Sequence, residues 1–256
     1  MKWDENGDRR YESGVSKGVL YDIDEHGSYT PGVAWNGLTS VNESPDGAEP
    51  TDLWADNIKY ATLYSAETFG GTIEAYTYPD EFAKHDGSAE VADGVYVGQQ
   101  TRQPFGFCYR TEIGDDLKGD RGYKLHLVYN ATARPSDKDY ETINDNPDAI
   151  QFSWEISTLP VNVTGKKPTS LIIIDSTKAN STKLASLEEI LYGTDTYSAV
   201  TPVGNENPSE EGWYTKSGDV YTKTSDTSVQ NGTTYYERTT TDARMPMPDE
   251  IASLMS

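Results

Sequence analysis

At 256 residues the chain is long enough for one large β domain, or a domain with a small appendage, since sandwiches and barrels often exceed the usual domain size. A net charge of -21 and a pI near 4.4 argue against grip on nucleic acid, which needs clustered Lys and Arg. They fit a plain acidic solvated surface, a surface kept from non-specific association by repulsion, or a path that polyanions pass without sticking. The single cysteine, Cys108, allows no disulfide framework and fits a reducing compartment, and its neighbours Phe105, Phe107 and Tyr109 place it in a strand. No segment approaches the ~20 apolar residues that span a bilayer. The first ten residues have no apolar run of the kind a secretory signal needs, so synthesis in the cytosol and no membrane partner are expected.

Residues 1–13 are polar and charged and read as an N-terminal arm. Val15, Val19, Leu20, Tyr21 and Ile23 make a first strand, closed by Asp24-Glu25-His26-Gly27, and Val33 to Val41 makes a second. Asn42 to Asp52 holds two prolines, a glycine and several acids, and reads as a loop too long for a simple turn; loops of that size are commonly functional. Ile58 to Tyr64 alternates with period two, Thr72 to Tyr78 is another strand, and Asp80 to Lys84 is a candidate helical turn. Phe105 to Ile113 and Tyr123 to Thr132 are strong strands joined by a turn-rich link, and Ser136 to Asp148 is a second acidic loop. Phe152, Trp154 and Ile156 alternate with polar residues, and Val161, Val163 and Leu171 to Ile174 complete the sheet-forming set.

The period then changes. Leu184, Leu187, Ile190 and Leu191 fall on one face of a helix over 181–192, with a Ser or Thr cap before it and Gly193 after it. A last short helix is expected over Pro248 to Met255. The stretch 194–241 has a different character: a hairpin with a Ser217-Gly218 turn and another with an Asn231-Gly232 turn suggest a three-stranded meander, inserted into the main domain rather than an ordinary hairpin of its sheet. Excising it leaves a continuous helix–loop–helix ending. The expected organisation is therefore an arm at 1–13, a β domain at 14–193 plus 242–256, and a small β insert at 194–241.

Signals of chemistry are weak. His26, His85 and His126 are dispersed and frame no metal site, and no basic cluster activates Cys108. Asp22-Ile-Asp24 opens like a calcium loop, but its twelfth position would be Val33 in place of a bidentate Glu. Gly165-Lys166-Lys167 lacks the frame of a phosphate-binding loop and reads as a hairpin turn. No catalytic, cofactor or metal residues are assigned, and the chain is read as a non-enzyme. Trp35, Trp54 and Trp154 suit core packing or subunit contact, whereas Trp213 is the tryptophan most open to stacking on a sugar.

The block from Gly32 to Phe82, with Gly-Val-Ala-Trp-Asn-Gly at its start and Phe-Gly-Gly-Thr-Ile-Glu-Ala-Tyr near its end, resembles the major tail tube proteins of long-tailed, non-contractile bacteriophages. Leu187 to Gly193 and Arg244 to Ile251 also look like that family. The resemblance implies a mostly β fold: two packed antiparallel sheets as a sandwich or partial barrel, with one flanking α-helix. It implies a structural protein of the virion tail, assembled in the host cytoplasm as stacked, hexameric rings through which DNA leaves without specific binding. Its partners would be copies of itself and the tape measure, terminator and distal tail proteins. The loop with Asp46, Gly47, Leu53 and Trp54 becomes the candidate inter-subunit element, expected to order on assembly. The insert looks like Trp/Tyr meanders on virion proteins of phages of Gram-positive hosts; its Trp213, Tyr214, Tyr235 and Tyr236 either knit the meander together or touch a host surface. The alternatives are a carbohydrate-binding β-sandwich module and a capsid or decoration protein.

Overall fold

The computed structural model describes residues 3, 5–65, 67–140, 142, 149–201, 213–224 and 233–256. In chain order the strands are β1 (Arg10–Ile23), β2 (Tyr29–Trp35), β3 (Leu38–Glu43), β4 (Pro50–Ala55), β5 (Ile58–Tyr64), β6 (Gly70–Ala75), β7 (Ala89–Ala92) and β8 (Val95–Val97). They continue with β9 (Phe105–Asp115), β10 (Gly122–Ala133), β11 (Phe152–Thr158) and β12 (Leu171–Asp175), before helix α1 (Ser181–Tyr192). Strands β13 (Thr194–Val200), β14 (Trp213–Ser217), β15 (Val220–Lys223) and β16 (Tyr235–Thr241) precede helix α2 (Pro248–Met255). The fold is mostly β, antiparallel and sandwich-like, as the residue patterns predict.

One eight-stranded sheet, in the order β2-β1-β9-β10-β11-β6-β3 with β12 also on β10, forms the body. It curls until β3 meets β1, where a Cβ built on Gly18 would lie 2.4 Å from Leu38 Cδ1 and 2.9 Å from Trp35 O. Alternation sends the side chains to two cores. Leu20, Trp35, Phe82, Phe107, Tyr109 and Trp154 fill the inner one. Tyr21, Cys108, Leu127 and Tyr129 face the other, where Leu184, Leu187 and Leu191 of α1 cover them; Ile190 is only half-buried.

A bulge lets one long strand serve both cores. Leu125, Leu127 and Tyr129 of β10 face the helices, yet Ala131 and Ala133, of the same parity, face inward. The change falls at Asn130, whose φ of 52 places it in the left-handed region, where the register with β9 shifts. Tyr21 Oη donates to Leu191 O at 2.6 Å and Tyr129 Oη to Pro246 O at 2.8 Å, fastening both helical segments to the sheet.

Several expectations change in the structure. The arm ends earlier than its composition suggests, because Arg10 to Ser13 pair with Asp115 to Glu112 as the start of β1. The α1 cap is Asn180, whose side chain accepts from the amides of Thr182 and Lys183, in place of a Ser or Thr. Val161 contributes one bridge to Thr169 and no full strand. A hairpin of β7 and β8 lies in a stretch with no strand pattern strong enough to predict it. The insert is a four-stranded sheet, β13-β16-β14-β15, because Thr194 to Val200 is itself a strand paired with β16. Thr194 faces Thr241 in that register, so the insert enters and leaves the body side by side. Gly193 is required at the junction: its φ is 72, and a Cβ there would lie 2.6 Å from Thr241 O. The Asn231-Gly232 turn and most of the second acidic loop fall outside the described residues.

Candidate functional site

The segment expected as a loop at Asn42 to Asp52 instead lies in the outgoing arm of a long hairpin. Loop composition misled here because Pro45, Pro50 and the acids sit on an exposed two-stranded ribbon, where neither type is excluded. Strands β3 and β6 form its base, an Asp46–Thr68 bridge forms the elbow, and β4 and β5 form the projecting half. Gly47, with φ of 92, turns the chain at the elbow, and its amide donates to Asp46 Oδ1 at 2.7 Å. Asp56 and Asn57 close the tip with φ of 50 and 61, the left-handed pair that a two-residue hairpin turn needs and that Asp and Asn tolerate.

Its two faces differ. Register places Asp52, Trp54, Lys59 and Thr62 on one side, where Lys59 Nζ lies 2.8 Å from Asp52 Oδ1 and Thr62 donates to the same oxygen at 2.8 Å. The other side carries Leu53, Ala55, Ile58, Ala61 and Leu63. Ile58 is 63% exposed, Leu63 55% and Trp54 68%. A two-stranded ribbon is marginal alone, and an apolar stripe of this kind gains by being covered.

At the root of the hairpin, Glu43 ties β3 to the main sheet. Its Oε1 accepts from Tyr109 Oη at 2.5 Å and from His126 Nδ1 at 2.9 Å. With Nδ1 donating, His126 Nε2 accepts from Thr111 Oγ1 at 3.1 Å. The imidazole stacks on Tyr109, with centroids 4.6 Å apart and planes 11° apart. The bond from His126 foremost, then those from Tyr109 and the charge of Lys124, hold the Glu43 carboxyl below the usual carboxylate range against the cost of burial. Burial and then Glu43 push the Tyr109 phenol upward. Both ring nitrogens of His126 and the carboxylate are engaged within the sheet, so the arrangement is a strut.

The insert aromatics are brought together, but as a small core. Trp213 is 3% exposed, Tyr214 and Tyr235 are buried, and Tyr236 is half-buried. Trp213 meets Tyr235 edge-on at 5.2 Å, while Tyr197 stacks on Tyr221 at 3.9 Å and Tyr221 meets Tyr236 at 5.0 Å. Of the two readings of these residues, the packing agrees with the one in which they knit the small sheet together, and the Trp213 ring is buried in it. Burial depends on how β14 and β16 pair, which spacing alone does not reveal.

The loop set (Asp46, Gly47, Leu53, Trp54) and the aromatic set lie in separate sheets and make no single site. Residues not singled out by sequence include Glu43, Tyr109, Thr111 and His126, for which no local signal exists, and Ile58 and Leu63, which the Asp56-Asn57 turn pair could have revealed. Among the described residues no group of three or more His, Cys, Asp or Glu is placed to hold a metal ion. No described helix is long and apolar enough to cross a membrane. A groove of about 580 Å³ lies beside the hairpin root, lined by Ser44, Asp46, Gly70, Arg134, Glu155 and Thr158 among others.

The fold and the projecting ribbon define a mostly β, sandwich-like protein with an appended β sheet. Comparison with models of known protein families and with curated protein sequences gives no match.

Proposed function

We propose that the chain is a structural protein that polymerises into the tail tube of a long-tailed, non-contractile phage, without catalysing a reaction. The observation that carries this reading is the β4–β5 hairpin, which projects from the sheet and shows Leu53, Ile58 and Leu63 to solvent on one face. A second copy of the chain is the partner that covers such a ribbon in a self-assembling protein. The resemblance of Gly32 to Phe82 supports the same reading, since the hairpin lies within that block. The net charge of -21 fits a wall past which DNA slides, with acids facing the channel. Hexameric rings, a place in the virion tail, and the tape measure, terminator and distal tail proteins as neighbours follow from this proposal.

Negative-stain microscopy of the purified chain tests it. Long tubes with a central channel are expected. Particles that remain monomeric at all concentrations, with or without salt, would sink the proposal.

A further inference from the structure

Several cations of this acidic chain are committed: Lys59 to Asp52, Arg121 to Asp115, Lys124 to Glu12 and Arg244 to Glu250. Lys166 and Lys167 differ. They stand side by side in the turn that follows Val163, both exposed, and neither makes an ion pair among the described residues. The nearby Asp249 is engaged by Thr164, accepting from its amide at 2.9 Å and its hydroxyl at 2.6 Å. Leu159, 67% exposed, lies at the start of the same excursion, which the Val161–Thr169 bridge closes. An exposed pair of lysines without an ion pair among the described residues and an exposed leucine thus belong to one excursion of an acidic chain.

The tip of the β4–β5 hairpin is its complement. Asp56 is exposed and makes no ion pair among the described residues, and Ile58, Leu53 and Leu63 run back from it along the apolar face. Two different, complementary patches on one chain are what a heterologous, head-to-tail contact requires. We propose that the Asp56 tip and the apolar face of the hairpin dock on the Lys166–Lys167 turn and Leu159 of a neighbouring copy of this chain. The proposal rests on the self-assembly argued above and names the surface that receives the hairpin. The charges steer and register the contact, and the apolar face is what is covered.

Assembly followed by light scattering, for the wild type, Asp56→Lys, Lys166→Glu/Lys167→Glu and the triple variant, tests it. Each reversal should slow assembly about fivefold or more at low salt, and the triple variant should recover to within about twofold of the wild type. Carbodiimide treatment of a mixture of isotopically light and heavy wild-type chains should link Asp56 of one to Lys166 or Lys167 of the other. Reversals without effect, a triple variant that does not recover, or crosslinks confined to one isotope would overturn the docking partner and leave self-assembly standing. A wild type that never assembles would overturn both.

Discussion

Glu43 and His126, 83 residues apart in sequence, meet through a 2.9 Å hydrogen bond that closes the root of the projecting hairpin onto the centre of the main sheet. The same carboxylate oxygen takes the Tyr109 hydroxyl. Position of the hairpin and integrity of the sheet are thus coupled through one side chain.

Glu43→Ala leaves the Tyr109 hydroxyl and His126 Nδ1 without their acceptor, so stability should fall by about 1–2 kcal/mol in chemical denaturation. The pH dependence has a definite sign. The folded-state pKa of Glu43 is depressed, so its contribution is complete above the unfolded carboxylate value and is lost as pH falls through the folded value. The difference between wild type and Glu43→Gln should therefore shrink below about pH 5. A difference that stays constant or grows on acidification would mean that the carboxylate charge is not what the fold uses.

Trp35→Ala should be among the most damaging single changes, at about 3–5 kcal/mol. The indole packs on Phe82, Phe107 and Trp154 with centroids 4.5, 5.5 and 5.5 Å away, and its Nε1 donates to Thr77 O at 2.9 Å. Urea unfolding of the purified variant measures this, and a cost below about 1 kcal/mol would show that the inner core can collapse around the loss.

Hairpin substitutions should separate assembly from folding. Leu53→Asp and Ile58→Asp place charge on the exposed apolar face, and Trp54→Ala trims the opposite face. All three should keep monomer stability within about 0.5 kcal/mol, since they lie on the surface. The two aspartates should abolish tube formation and Trp54→Ala should reduce it. Normal tubes from the aspartate variants would remove the hairpin from the interface.

Deletion of 194–241, joining Gly193 to Asp242, should leave a folded body, because Thr194 and Thr241 already face each other across the β13–β16 ladder. Circular dichroism and melting of the shortened chain read this directly. If the body no longer folds, β13 to β16 are an integral layer and not an insert.

Cys108 should be inert in the native state. It is fully buried, and burial pushes its thiol up to about 12, so little thiolate forms at pH 8. Iodoacetamide should label it only in denaturant; rapid native labelling would show that the space between α1 and the sheet opens readily.

The sequence by itself determined what depends on neighbours along the chain. Period-two alternation around Phe107, Leu127 and Trp154 marks strands, the spacing of Leu184, Leu187 and Leu191 marks α1, and Gly193 marks its end. The segment 194–241, read from the sequence as an insert, begins and ends at the outer ends of β13 and β16. The tertiary structure decided everything that depends on which strands meet. Proline and acids around Pro50 disguised an exposed ribbon as a loop, because β4 has no buried residue and an exposed two-stranded ribbon tolerates both residue types. Asn130 reversed the facing of β10 by a bulge that parity cannot foresee, and pairing of β14 with β16 turned Trp213 from a candidate platform into core. Glu43, Tyr109 and His126 became one strut only through contacts across three strands, since a hydrogen bond spanning 83 residues leaves no periodic trace in the chain.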